Sequence, residues 1–267
     1  MLRQYLFCMM IFGLATAAGA RDTPLLRLDT GDQNKGWEAV GRLDIAGHGF
    51  CTGALIAEDL VLTAAHCLFD KDSGARVPPE GIGFRAGWRN GRAEAYRRVK
   101  RVVVHPEYGH GGRVAADRVR NDLALVQLDQ PIRTTAVKPF ATLEGRSPGG
   151  DVGIVSYAHD RADAPSLQEM CSVIGSDSGV LVTSCDVDFG SSGAPIFSFQ
   201  DGVTRIISVV SAKAEMRGKP VALGTDLTLP LAELRAAMAA GDGVFLRADE
   251  EPAQGGVRAG GAKFVRP

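Results

Sequence analysis

From Trp37 onward the apolar residues of this chain fall into short runs separated by glycine, proline and charge, a pattern that admits strands and almost nothing longer. Val40-Gly41-Arg42-Leu43-Asp44-Ile45 alternates like a half-buried strand. Thr52 to Leu62 reads as two short strands around a turn at Glu58-Asp59, and Arg98 to His105 and Leu123 to Leu128 as two more. Residues 70–81, 87–95 and 109–120 read as loops, and 144–151 as a linker. Strand-like runs resume near 152–158, 168–174, 179–184, 195–199 and 204–211. Many short strands with turn signals between them predict an all-β barrel or sandwich. Pro230 to Ala240 is the one convincing helix, with Pro230 near its start, Leu231, Leu234 and Met238 on one face, and Gly241 to end it.

Composition removes several alternatives. An apolar share of 45% excludes a disordered chain. Thirty basic against thirty-one acidic residues leave no excess of positive charge for nucleic acid. The first twenty residues read as a secretory signal peptide: Arg3 supplies the positive charge, Leu6 to Ala18 the apolar stretch, and Ala18-Gly19-Ala20 the small residues for cleavage. A secreted or periplasmic protein is expected, with no membrane association once the signal is removed. Cys8 leaves with the signal. Cys51, Cys67, Cys171 and Cys185 remain, an even number that favours disulfides in an exported chain. Four cysteines permit three connectivities. The simplest joins sequence neighbours, Cys51–Cys67 and Cys171–Cys185, each closing a loop of about 15 residues worth roughly 3 kcal/mol.

Three local motifs carry chemistry. Leu62-Thr63-Ala64-Ala65-His66-Cys67 ends an apolar strand in a small-residue turn, a histidine and a cysteine. Asn121-Asp122-Leu123-Ala124-Leu125-Val126 places an acid at the mouth of another strand. Gly190-Ser191-Ser192-Gly193-Ala194-Pro195 holds a serine in a glycine-flanked turn. A serine hydroxyl attacks an amide only with a base in reach, and a histidine base needs a carboxylate to hold its tautomer. With these motifs in the order His, Asp, Ser, the chain resembles trypsin/chymotrypsin-type serine proteases over roughly residues 37–240. It is closest in style to bacterial secreted members whose nucleophile motif reads Gly-x-Ser-Gly-x-Pro. Val104-His105-Pro106-x-Tyr108 and Val209-Val210-Ser211 match family strands as well.

The resemblance implies two six-stranded antiparallel β-barrels with a carboxy-terminal helix: a first barrel over about 37–143, a second over about 150–229 and the helix at 230–240. It implies Ser192 as nucleophile, His66 as general base and then acid, and Asp122 as the orienting carboxylate. The N–H groups of Gly190 and Ser192 would form the oxyanion hole, and Asp186, Ser211 and Lys213 would bind substrate. Pairing of Cys51 with the cysteine beside the histidine is the family's habit. The expected reaction is hydrolysis of a protein or peptide substrate through an acyl-enzyme, by a monomer, with no metal and no cofactor.

The chain departs from the pattern in places. Ser191 stands where an acid usually precedes the nucleophile, so activation by an ion pair to a new amino terminus is not expected. Ala194 replaces the second motif glycine. Asp186, six residues before Ser192, occupies the position where trypsins keep the acid that binds Lys or Arg. Ala212-Lys213 stands where a Trp-Gly usually walls the pocket, and Lys213 is placed to narrow it or to pair with Asp186. Glu-specific relatives carry a histidine where Val210 stands. Residues 21–36 form a polar segment open to processing, for example after Arg27, and 241–267 a Gly-rich tail. Asp29-Thr30-Gly31 matches the aspartic-protease tripeptide, but that chemistry needs two such carboxylates. Asp70-x-Asp72-x-Gly74 hints at a calcium loop, yet an EF-hand would need a glutamate where Gly81 stands. His48, His110 and His159 read as exposed. Two other classes stay open, a catalytically silent binding protein on a protease scaffold and an esterase using the same triad.

Overall fold

The computed structural model describes residues 22–45, 49–111, 115–143 and 149–243, so the signal-peptide reading, His48 and most of the Gly-rich tail lie outside the described residues. The chain opens with a two-residue strand β1 (Leu26–Arg27) and one turn of helix α1 (Gly31–Asn34). Then come β2 (Val40–Ile45), β3 (Gly49–Ala57), β4 (Leu60–Thr63), β5 (Ile82–Ala86), β6 (Ala95–Val104), the short helix α2 (Ala116–Arg120) and β7 (Ala124–Leu128). Strands β2 to β7 close an antiparallel barrel in the order β2-β3-β4-β7-β6-β5. After β8 (Ala141–Thr142) the chain forms β9 (Asp151–Ser156), β10 (Ser166–Asp177), β11 (Val180–Thr183), β12 (Pro195–Ser198), β13 (Arg205–Met216) and β14 (Lys219–Asp226). These close a second barrel, β9-β10-β11-β14-β13-β12, through the β10–β9 and β12–β9 pairings. The final helix α3 (Pro230–Ala239) returns to the first barrel, against β6 and β7.

Barrel closure explains the sequence pattern. Inward side chains alternate with outward ones, as in β5, where Ile82, Phe84 and Ala86 are buried and Gly83 and Arg85 are not. One apolar core fills the first barrel and continues through Trp37, Phe140, Tyr157, Phe197 and Leu231 into the seam between the barrels. A second, smaller core of Val152, Ile154, Leu181, Ile196, Ile207 and Val210 fills the other barrel. Helix α3 starts with proline at its first turn and buries Leu231 and Leu234. The Arg101 guanidinium donates to the carbonyls of Met238 and Asp242, both at 2.6 Å, placing a cation at the helix carboxyl end.

The amino-terminal segment belongs to this fold, which its polar sequence did not signal. β1 adds to the edge of β10, Leu26 opposite Leu167 and Arg27 opposite Ser166. Leu28 is only 1% exposed. The Asp29-Thr30-Gly31 tripeptide is a helix start: the Thr30 hydroxyl accepts from the Gln33 amide and Gln33 reciprocates, a capping box. Leu28→Ala is therefore expected to destabilise the protein by about 2–5 kcal/mol. An unchanged urea midpoint in the variant would show that residues 22–36 are not part of the cooperative unit.

β5, β14 and α2 are absent from the sequence reading. β5 carries Gly83, and β14 carries Pro220 and Gly224, all of which weaken a strand pattern. β13 and β14 run beyond the barrel as a two-stranded ribbon whose Glu215, Met216, Lys219 and Pro220 are exposed, so their outer halves lack an apolar face.

Candidate active site

His66, Asp122 and Ser192 come from three different connections that meet in the seam. His66 lies in the 3-10 turn Ala65–Leu68 that follows β4. Its turn is tied to β3 by the Cys51–Cys67 disulfide. Asp122 sits between α2 and β7 and is 2% exposed. Thr225 of β14 holds the connection that carries it, its hydroxyl donating to the Val119 carbonyl at 2.5 Å.

The buried Asp122 carboxylate accepts three hydrogen bonds. Oδ1 accepts from the His66 backbone amide at 2.8 Å. Oδ2 accepts from His66 Nδ1 at 2.7 Å and from the Ser211 hydroxyl at 2.5 Å. This network assigns the tautomer of the neutral ring: its proton is on Nδ1, which leaves the lone pair on Nε2. Nε2 lies 4.0 Å from Cys67 Sγ. Among the described residues no hydrogen bond joins it to the Ser192 hydroxyl. His66 and Ser192 line one narrow cleft of about 50 Å³, with Phe50, Phe69, Lys71 and Phe189 around them.

The turn before β12 is held from several sides. The His159 amide donates to the Phe189 carbonyl at 2.8 Å, the Ser191 amide to Asp188 O at 2.9 Å, and the Ala194 amide to Ser191 O at 2.9 Å. A trans peptide points its N–H opposite its C=O, so the first and third bonds turn the Gly190 and Ser192 N–H groups the other way. Among the described residues neither N–H has an acceptor. Gly190 has φ +98°, and a Cβ there would meet the Phe50 ring and the Ala158 backbone. Gly193 has φ +78°, and a Cβ would meet Thr52 O and Thr63 Oγ1. Ser191 is fully buried and its hydroxyl donates to Tyr157 O at 3.1 Å. A neutral hydroxyl at this point has no charge to offer an amino terminus.

A second cavity of about 140 Å³ is lined by Asp186, Val187, Lys213, Pro220 and Val221 beside Cys185, which pairs with Cys171. The Asp186 amide donates to Gln168 Oε1 at 2.8 Å. The placement of Lys213 corrects one expectation. Its ammonium lies 3.8 Å from Asp188 rather than pairing with Asp186. Lys213 is exposed and Asp188 half-buried, and at this distance the pair is weak and easily displaced.

The remaining sequence candidates have structural duties. His110 is exposed and stacks on Phe69 at 4.4 Å. Partial burial, then the nearby Arg118 and His66, hold its pKa below the usual histidine value. Burial pushes the Tyr108 hydroxyl up to about 12, with the Asp122 charge adding to it. His159 is exposed as read from sequence and acts through its backbone. Asp70 Oδ1 accepts from the Ser73 amide and hydroxyl, an Asx turn in place of a calcium loop. Cys51, His66 and Cys67 gather three potential metal ligands, but the disulfide leaves no thiolate to bind one. Thr52, Thr225 and the Phe189 carbonyl belong to the site and carry no motif.

The fold and this constellation define a serine-hydrolase architecture of the chymotrypsin type. The family model for trypsin matches residues 30–225, and the chain belongs to the trypsin family. Serine protease 23 of Mus musculus is 28% identical over 166 residues, 55% of this chain and 42% of that protein. Serine protease SP24D of Anopheles gambiae is 33% identical over 107 residues, 40% of this chain and 36% of that protein. Glutamyl endopeptidase of Bacillus licheniformis is 27% identical over 152 residues, 56% of this chain and 45% of that protein. The chain thus spans less than half the length of these relatives. A solved structure of a Glu endopeptidase in complex with MPD superposes with a TM-score of 0.66 at 19% identity, covering 80% of this chain and 96% of that one.

Proposed function

We propose that the protein is an exported serine endopeptidase in which Ser192 attacks the scissile carbonyl. The observation that carries this reading is the fully engaged Asp122 carboxylate, which leaves His66 Nε2 as a base beside Ser192. Nε2 takes the Ser192 proton during attack and returns it to the leaving amine. The Gly190 and Ser192 N–H groups receive the negative charge that develops on the carbonyl oxygen. Substrate backbone pairs with β13 near Ser211, in the manner of an added strand. Water then hydrolyses the acyl-enzyme through the same base.

The side chain before the scissile bond enters the Asp186 cavity and is Lys or Arg. Among the described residues the Asp186 carboxylate has no cationic partner, because Lys213 turns to Asp188. The two disulfides suit an oxidising compartment, secreted or periplasmic.

Fluorophosphonate labelling of the mature, disulfide-bonded protein tests the reading. Wild type is expected to label, and Ser192→Ala and His66→Ala are expected not to. Absence of labelling in folded wild type would leave a binding protein on a protease scaffold. Labelling with cleavage of activated esters but of no peptide in a library would make it an esterase.

A further inference from the structure

Gly190 supplies one N–H of the proposed oxyanion pocket, and a glycine has no side-chain preference to hold its backbone. The two peptides that flank it must be fixed by outside partners. The peptide before it is held by the His159 amide on the Phe189 carbonyl. The peptide after it is held by the first barrel: the Thr52 hydroxyl donates to the Gly190 carbonyl at 2.8 Å. Thr52 is fully buried on β3, so no bulk water substitutes for that hydroxyl.

Every polar group of Thr52 is engaged around the nucleophile turn. Its hydroxyl oxygen accepts from the Tyr157 amide at 3.1 Å, which directs the hydroxyl proton toward Gly190. Its backbone amide donates to the Ser192 carbonyl at 2.9 Å. Its carbonyl accepts from Thr63 Oγ1 at 2.9 Å. Thr63 in turn ends β4, the strand that leads to His66. A β-branched side chain in a strand has few rotamers, so the hydroxyl direction is set by the backbone. One side chain therefore bridges the first barrel to both the Gly190 and the Tyr157 segments of the second.

We propose that Thr52 is a positioning residue for the oxyanion pocket: its hydroxyl anchors the Gly190–Ser191 peptide, the link between the peptide that carries the Gly190 N–H and the one that carries the Ser192 N–H, and so keeps the two donors aimed together at the developing charge. This inference rests on the serine-hydrolase reading above. It adds a residue that touches neither substrate nor the reacting atoms.

The test compares Thr52→Val, close in shape but without the hydroxyl, with Thr52→Ser, which keeps it. Each full-length variant is purified oxidised, and its melting temperature is measured so that assays run well below it. The probes are a fluorophosphonate and the small ester p-nitrophenyl butyrate. Thr52→Val is expected to phosphonylate about ten- to hundredfold more slowly and to lose kcat by the same factor, while KM changes less than about twofold. Thr52→Ser is expected to stay within about threefold of wild type. A purely structural role would lower the melting temperature without separating kcat from KM. Thr52→Val at wild-type rates overturns the proposal, as does an equal loss in both variants. Inert wild type overturns the hydrolase reading and this inference with it, whereas active wild type with an unaffected Thr52→Val overturns the inference alone.

Discussion

Asp122→Asn is expected to fold as wild type does and to turn over substrate about 10⁴-fold more slowly at neutral pH, the loss that a wrong-tautomer histidine brings to Ser-His-Asp triads in general. The structure says why the amide cannot imitate the acid here. The carboxylate accepts three hydrogen bonds and an asparagine side chain has a single acceptor oxygen. The His66 backbone amide can only donate, so it claims that oxygen at the Oδ1 place. The NH2 group is then left facing His66 Nδ1 and the Ser211 hydroxyl. It donates to Nδ1, the ring proton moves to Nε2, and Nε2 can no longer take a proton from Ser192. KM should change little, because Asp122 is buried and faces no substrate. A pH profile of kcat with a matched melting temperature checks this. A loss below tenfold would mean that Asp122 does not set the tautomer.

The three candidate residues of the site were legible because each sits in a local motif whose chemistry is read along the chain. His66 follows an apolar strand and precedes a cysteine, Asp122 opens a strand, and Ser192 lies between glycines. The barrels were legible as strands, and the family resemblance turned an all-β pattern into two closed rings. What was missed depends on distance in sequence. Thr52 meets Gly190 and Tyr157 across separations of 138 and 105 residues, and a threonine inside a strand looks like any other. Thr225 reaches Val119 in the same way. Spacing left Lys213 to narrow the cavity or to pair with Asp186; it lines the cavity, and its ammonium meets Asp188 instead. Asp186 and Asp188 are two residues apart, and only the three-dimensional path of the turn decides which carboxylate the ammonium meets. The polar 22–36 segment hid a strand and a capped helical turn, because two residues of strand leave no period to detect.

The proposed preference for a basic side chain rests on Asp186, and Asp186→Asn is expected to reduce kcat/KM for Lys and Arg substrates by about 10²-fold. Removing one partner of a charge pair that is desolvated on binding costs about 2–5 kcal/mol. Asp186 is exposed before substrate arrives, which favours the lower half of that range. Substrates with a neutral residue before the scissile bond should change less than about threefold, since the cavity keeps its Val187, Pro220 and Val221 walls. Lys213→Ala separates the two charges of the cavity. With Asp186 in control, removing the neighbouring cation raises the rate on basic substrates, and raises it less at high salt because the contact is solvent-screened. If Lys213→Ala instead abolishes cleavage after acidic residues, the ammonium is the reading group and Asp186 is a bystander. In that case the weak contact to Asp188 is a resting position, from which Lys213 turns to the substrate carboxylate as the cavity fills.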